Sequence, residues 1–257
     1  MSEHADAVGQ QLGAARERAG DRVDAARVYA GERIDAARDL AGGIGRQVKP
    51  RLRGVFHQWA FPVALLAGGL LVVLASSDRA RLALAIYAVS LAALFGVSAL
   101  YHRVEWRPRA RAWMRRLDHS MIFVLIAGTY TPFALLVIDS SLGDVLLAVV
   151  WAGAAVGVVF NLLWPGQPKW VAALAAVAVG APLAAAMPAL VDAAGPGPLI
   201  LISLGAVLYC LGALVYAIQR PDPRPSVFGY HEILHVLVIA AALAHFVAIA
   251  IYAAPAA

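Results

Sequence analysis

Seven apolar runs, each long enough to cross a bilayer as a helix of about 20 residues, follow one another along most of this chain. They lie at roughly 59–76, 81–102, 118–138, 144–164, 169–190, 198–219 and 230–253. The links between them are short and rich in turn formers, as in Asp139-Ser-Ser-Leu-Gly-Asp144, Pro165-Gly-Gln-Pro168 and Gly195-Pro-Gly-Pro198. They leave no room for a second folded domain. The pattern therefore predicts an all-α membrane protein, with a seven-transmembrane helix bundle over residues 55–257. Gly153 and Gly157, four apart in the fourth run, suggest a close helix contact.

Before the first run the pattern changes. Residues 1–50 are polar and repeat with a period of eleven, from Ala14 to Asp24, from Ala25 to Asp35, and in part from Ala36 to Gly42. Eleven residues make three helical turns, so Ala15, Ala19, Val23, Ala26, Ala30, Ile34, Ala37 and Ala41 form a nearly straight, weakly apolar stripe flanked by charge. This predicts an amphipathic helical extension that lies on the membrane surface or pairs with a partner helix. Gly20 and Gly31 inside the repeats favour a fraying helical tail instead. The segment has no apolar core of the kind a cleavable signal peptide carries.

Composition makes the membrane reading firm: the 257 residues are 61% hydrophobic and 14% charged, with a mean hydropathy of +0.73. The basic excess, 21 Lys and Arg against 16 Asp and Glu, does not mark a nucleic-acid partner, because it is distributed by topology. Starting with the N-terminus inside and leaving out the repeats, the inner segments hold 13 Lys and Arg, and the outer ones only Arg79 and Arg81. That bias predicts a cytoplasmic N-terminus and an outer C-terminus, in the inner (plasma) membrane of the cell. The single cysteine, Cys210, excludes an intramolecular disulfide and is read as a small buried hydrophobe.

Against this apolar background the ionisable residues stand out. The second run ends Ser98-Ala-Leu-Tyr-His102, the third begins Asp118-His119, and the seventh begins with His231 and His235. By the topology above, all of these lie at inner helix ends. His231 and His235, four apart on a helix, share one face and direct two imidazoles at one point. With His102 they offer three nitrogen ligands and leave a fourth position for water, the pattern of a catalytic zinc site. Ser98 lies one turn deeper than His102 on the same face, and Asp118 is placed to orient or deprotonate the metal-bound water, or else simply caps a helix. His119 points about 100° away from Asp118 and is a neighbour rather than a ligand. His245, about 15 Å beyond His235, is too far for the same ion and is read as a polar contact deeper in the bundle. His57 is read as interfacial. His231-Glu232-Ile-Leu-His235 also matches H-E-x-x-H, in which the glutamate is a metalloprotease base. No Asp or Glu follows His235 to complete such a site, so Glu232 is read as a bystander.

Ser98-Ala-Leu-Tyr-His102, Leu117-Asp-His-Ser-Met-Ile-Phe-Val-Leu-Ile-Ala-Gly-Thr-Tyr-Thr-Pro-Phe133, and Phe228-Gly-Tyr-His-Glu-Ile-Leu-His-Val-Leu-Val238 with His245 beyond it resemble the hemolysin III family. This is the bacterial branch of the progestin and adipoQ receptor (adiponectin receptor-like) membrane proteins. The resemblance covers roughly residues 55–253 and leaves the repeats outside. It implies seven helices with the N-terminus in the cytoplasm, zinc held by His102, His231 and His235, and Asp118 and Ser98 beside the metal-bound water. It also implies hydrolysis of a lipid amide, as in the similar alkaline ceramidases, with a membrane lipid as substrate. Two other functions stay open: a pore-forming cytolysin, which the family name implies, and a receptor or sensor in which zinc only braces the helix ends.

Overall fold

The computed structural model describes residues 50–138 and 140–255, and the eleven-residue repeats lie outside them. Eight helices follow in order: α1 (Val55–Val73), α2 (Asp78–Arg103), α3 (Pro108–Pro132), α4 (Ser141–Leu163), α5 (Lys169–Gly180), α6 (Pro182–Ala194), α7 (Gly197–Ile218) and α8 (Tyr230–Ala248). α3 and α8 each run on into a wider π-helical turn, Phe133–Val137 and Ile249–Ala253. The described residues contain no β-strand, only an isolated bridge between Arg224 and Phe228.

Counting α5 and α6 as one crossing, seven helical spans are long and apolar enough to cross a membrane. The chain is a multi-pass membrane protein. Neighbours in sequence pack side by side, α7 packs on α5 and α6, and α8 packs back on α1, which closes the bundle. The outer faces carry large apolar side chains such as Leu66, Val73, Leu163 and Ile200, as lipid contact requires. The spans that carry the predicted site are the innermost: over an apolar stretch of 18 residues in each, 67% of the third, 50% of the second and 44% of the seventh is buried, against 17–28% of the others.

Small residues set how closely these inner helices approach. A Cβ at Gly128 on α3 would fall on the side chain of Ser90 on α2, and one at Gly157 on α4 would enter the ring of Phe123 on α3. Gly153, the other half of the predicted pair, is in ordinary contact range of Val179, so only Gly157 makes the close approach. Buried hydroxyls return their protons to the same helix: Thr129 to the Leu125 carbonyl (2.8 Å), Thr131 to Ala127 (2.9 Å) and Ser90 to Tyr87 (2.7 Å). The break between α5 and α6 falls at Gly180-Ala181-Pro182, where proline has no N–H to give. Tyr130 bridges it, its hydroxyl donating to the Gly180 carbonyl and accepting from the Leu183 N–H at 3.2 Å. Irregular backbone is thereby satisfied inside protein rather than against lipid.

Two expectations are corrected. The third crossing begins as a helix at Pro108, not near residue 118, because proline sets the first helical turn and the Arg- and Ala-rich segment after it continues the helix. Asp118 is therefore well inside α3 and caps nothing. Cys210 is exposed on the bundle rather than buried. It borders a cavity between the helices, and an apolar run does not reveal which of its residues do so.

Candidate metal centre

The site starts where α1 and α8 begin, at the arginine-rich end of the bundle. The backbone before α1 runs along the backbone before α8, with Arg51 N–H on the Ser226 carbonyl (3.1 Å) and Leu52 N–H on Val227 (3.2 Å). Gly54 has φ +80°, and a Cβ there would collide with the Cβ of His102, so a side chain at this turn would hold α1 away from α2. Glu232, at the third position of α8, reaches back to accept from the Gly229 N–H (2.8 Å) and caps the helix. Its other oxygen accepts from Arg53 Nε at 2.5 Å. The H-E-x-x-H glutamate is fully buried with both oxygens engaged, and it acts as a clamp between α1 and α8. Lys169 ties α5 to the same corner, donating to the Tyr230 hydroxyl at 2.7 Å with its ammonium over the Tyr216 and Tyr230 rings.

Inside this frame His102 from α2 and His231 and His235 from α8 converge. All three are buried, and one ring nitrogen of each lies within 4.8 Å of the others. His102 Nε2 and His231 Nε2 are 3.1 Å apart, close to the spacing of about 3.3 Å between two ligands on a tetrahedral zinc with bonds of about 2.0–2.1 Å. A proton shared by that pair satisfies two rings and leaves the third, and Nδ1 of His235 is buried without a partner. Three buried imidazoles with an orphaned nitrogen suit a nitrogen-preferring divalent ion better than one another. The donor set fits zinc.

Asp118 from α3 completes the group, with its Oδ2 3.7 Å from His102 Nε2. Ser98, buried one turn from His102 on α2, lines the same cavity as Asp118. The five residues singled out in the sequence thus come together. His119 faces the Tyr216 ring, at 6.2 Å between centroids, and lies outside the cluster.

Sequence reasoning missed His57. Read as interfacial, it is 4% exposed and lies flat on His235, with ring centroids 3.9 Å apart and planes 13° from parallel, and Phe95 behind it. It is buried because Gly54 folds the start of α1 onto α2 one turn earlier. That glycine, next to a histidine in the first turn of a span, was the available signal.

The cluster opens onto a cavity of about 420 Å³ that runs between α2, α3, α5, α6, α7 and α8. Ser98, Asp118, His231 and His235 form one end, and His245 and Tyr209 also line it. Most of the wall is apolar, including Ile122, Ile126, Ala176, Leu234 and Val238. A polar, metal-ligating end joined to an apolar chamber inside a membrane protein is shaped for an amphiphile with its head at the histidines.

The comparisons with known proteins bear on the same residues. The family described as Haemolysin-III related matches residues 46–246, a stretch that includes every residue of the cluster. Hemolysin-3 of Bacillus cereus is 29% identical over 176 residues, 68% of this chain and 77% of that protein. The Hemolysin-3 homolog of Bacillus subtilis is 30% identical over 167 residues, 65% of this chain and 75% of that one. The monocyte to macrophage differentiation factor of Homo sapiens is 26% identical over 200 residues, 75% of this chain and 79% of that protein. The resemblance read from the three motifs is borne out.

Proposed function

The chain belongs to the Haemolysin-III related family, and on that premise we propose that it is a zinc-dependent hydrolase of lipid amides or esters. The carrying observation is that three converging buried histidines, with Asp118 and Ser98 beside them, form the polar end of a largely apolar chamber. His102, His231 and His235 would hold the ion, which supplies Lewis acidity toward a carbonyl oxygen and toward water.

The chain's own residues do the rest. The apolar wall takes the acyl chain and excludes bulk water, which sets the carbonyl at the histidine end. Asp118 takes a proton from the attacking water and returns it to the departing nitrogen or oxygen. Ser98 has one proton to donate; it holds the Asp118 carboxylate while that group is charged and is released toward the developing oxyanion once Asp118 is protonated. Glu232 takes no part in proton transfer, since both its oxygens are engaged. In this reading the arginine-rich end faces the cytoplasm, as the distribution of positive charge favours, so the N-terminus is inside and product heads leave on that side.

The test is Asp118→Asn in purified protein presented with a ceramide and a matching ester. Hydrolysis should fall at least 100-fold while zinc content and thermal stability stay near those of the parent. A parent that turns over neither lipid, or a variant as active as the parent, would refute the proposal. The Bacillus relatives carry the name hemolysin. A pore-forming reading of this chain instead predicts dye leakage from liposomes that is unchanged by His235→Ala.

A further inference from the structure

The far end of the cavity carries polar groups that hydrolysis at the histidine cluster does not use. His245 on α8 is more than nine-tenths buried and lines the cavity. Its Nε2 lies 3.1 Å from the Ile202 carbonyl of α7. A carbonyl only accepts, so Nε2 carries the proton, and Nδ1 of the neutral ring is left as an acceptor. That Nδ1 is buried without a partner. Tyr209, on the same wall, places its ring centroid 5.5 Å from that of His245, and its hydroxyl is also buried without a partner. The arrangement needs space made for it: a Cβ at Gly205 on α7 would overlap His245 Cδ2 and Nε2. Glycine there is what lets the imidazole reach across to α7.

One unpartnered acceptor and one unpartnered hydroxyl, buried on two side chains that line a single cavity in a low-dielectric interior, call for a group that donates one hydrogen bond and accepts another. An alcohol does both. His245 follows His235 by ten residues on one helix, so this end lies roughly 15 Å from the metal-binding end. We propose that Tyr209 and His245 form a hydroxyl-binding subsite that selects lipids hydroxylated at mid-chain. This inference rests on the reading of the cavity as an acyl-chain site. A water molecule can also supply a hydroxyl, and the experiment separates the two sources.

The full chain in nanodiscs would be titrated with three fatty acids in competition with a fluorescent fatty acid: octadecanoate, the same acid hydroxylated at carbon twelve, and the acid hydroxylated at carbon two as a position control. The mid-chain hydroxylated acid should compete on the order of 10-fold better than the other two. Tyr209→Phe, which keeps the ring and the packing, and His245→Leu should each remove most of that preference, judged against plain octadecanoate on the same variant. Equal binding of all three acids by the parent overturns the subsite alone, and means that the two side chains hold only water. A preference that survives both variants overturns it as well. Failure of every acid to bind overturns the acyl-chain reading and this inference with it.

Discussion

Removing one partner of the Arg53–Glu232 pair should damage the fold rather than the chemistry, and the size of the damage follows from the geometry. Glu232 is 0% exposed and holds Arg53 Nε at 2.5 Å and the Gly229 N–H at 2.8 Å, whereas the Arg53 side chain stays 22% exposed. Arg53→Met leaves a buried carboxylate with only the backbone donor. Losing one partner of a fully buried pair costs about 3–5 kcal/mol; with water able to reach the Arg53 side, about 2–3 kcal/mol is expected here. Glu232→Gln keeps an acceptor for Gly229 but loses the charge-assisted bond, a cost of about 1–2 kcal/mol. The double variant should be less destabilised than the two losses added, by about 1–2 kcal/mol, because its members no longer strand each other. The assay is unfolding in mixed detergent and SDS micelles, with zinc and hydrolysis measured on the folded fraction. A Glu232→Gln protein as stable as its parent but without hydrolysis would refute the clamp and make Glu232 the base of its H-E-x-x-H motif.

Gly128→Ala should lower stability by about 1–3 kcal/mol through overpacking against Ser90, and Ser90→Gly in the same chain should recover part of that loss in the same micelle assay. His57→Phe keeps a ring on His235 and should retain zinc, whereas His57→Ala should weaken zinc binding about 10-fold in a chelator competition. Equal zinc affinity in the alanine variant would show that the stacked ring does not hold His235 in place.

Much of this is legible in the sequence. The seven crossings followed from run length alone, and the convergence of His102, Asp118, His231 and His235 followed from the order of the crossings. What stayed hidden has one physical cause. In water, periodic polarity tells which face of a helix is buried; in a membrane, lipid is as apolar as the core, and that signal fades. The apolar run around Cys210 therefore predicts burial, whereas the residue is exposed and borders the cavity. His57 reads as interfacial in the sequence because its burial depends on the turn at Gly54 and on the ring of His235, which lies far along the chain. In the sequence Arg53 reads only as a topogenic charge and Glu232 as a bystander. Their pairing needed the backbone before α1 to lie against the backbone before α8, a contact across nearly the whole membrane domain. The length of the cavity, and so the place of His245 within it, depends on gaps between helices that no local pattern encodes.

Metal analysis of the purified protein tests the central claim most directly. The account predicts close to one zinc per chain in the parent, lost in both His102→Ala and His235→Ala while the folded fraction is retained, and kept in Asp118→Asn. A parent without bound metal after reconstitution with zinc, or zinc retained in both histidine variants, would contradict it.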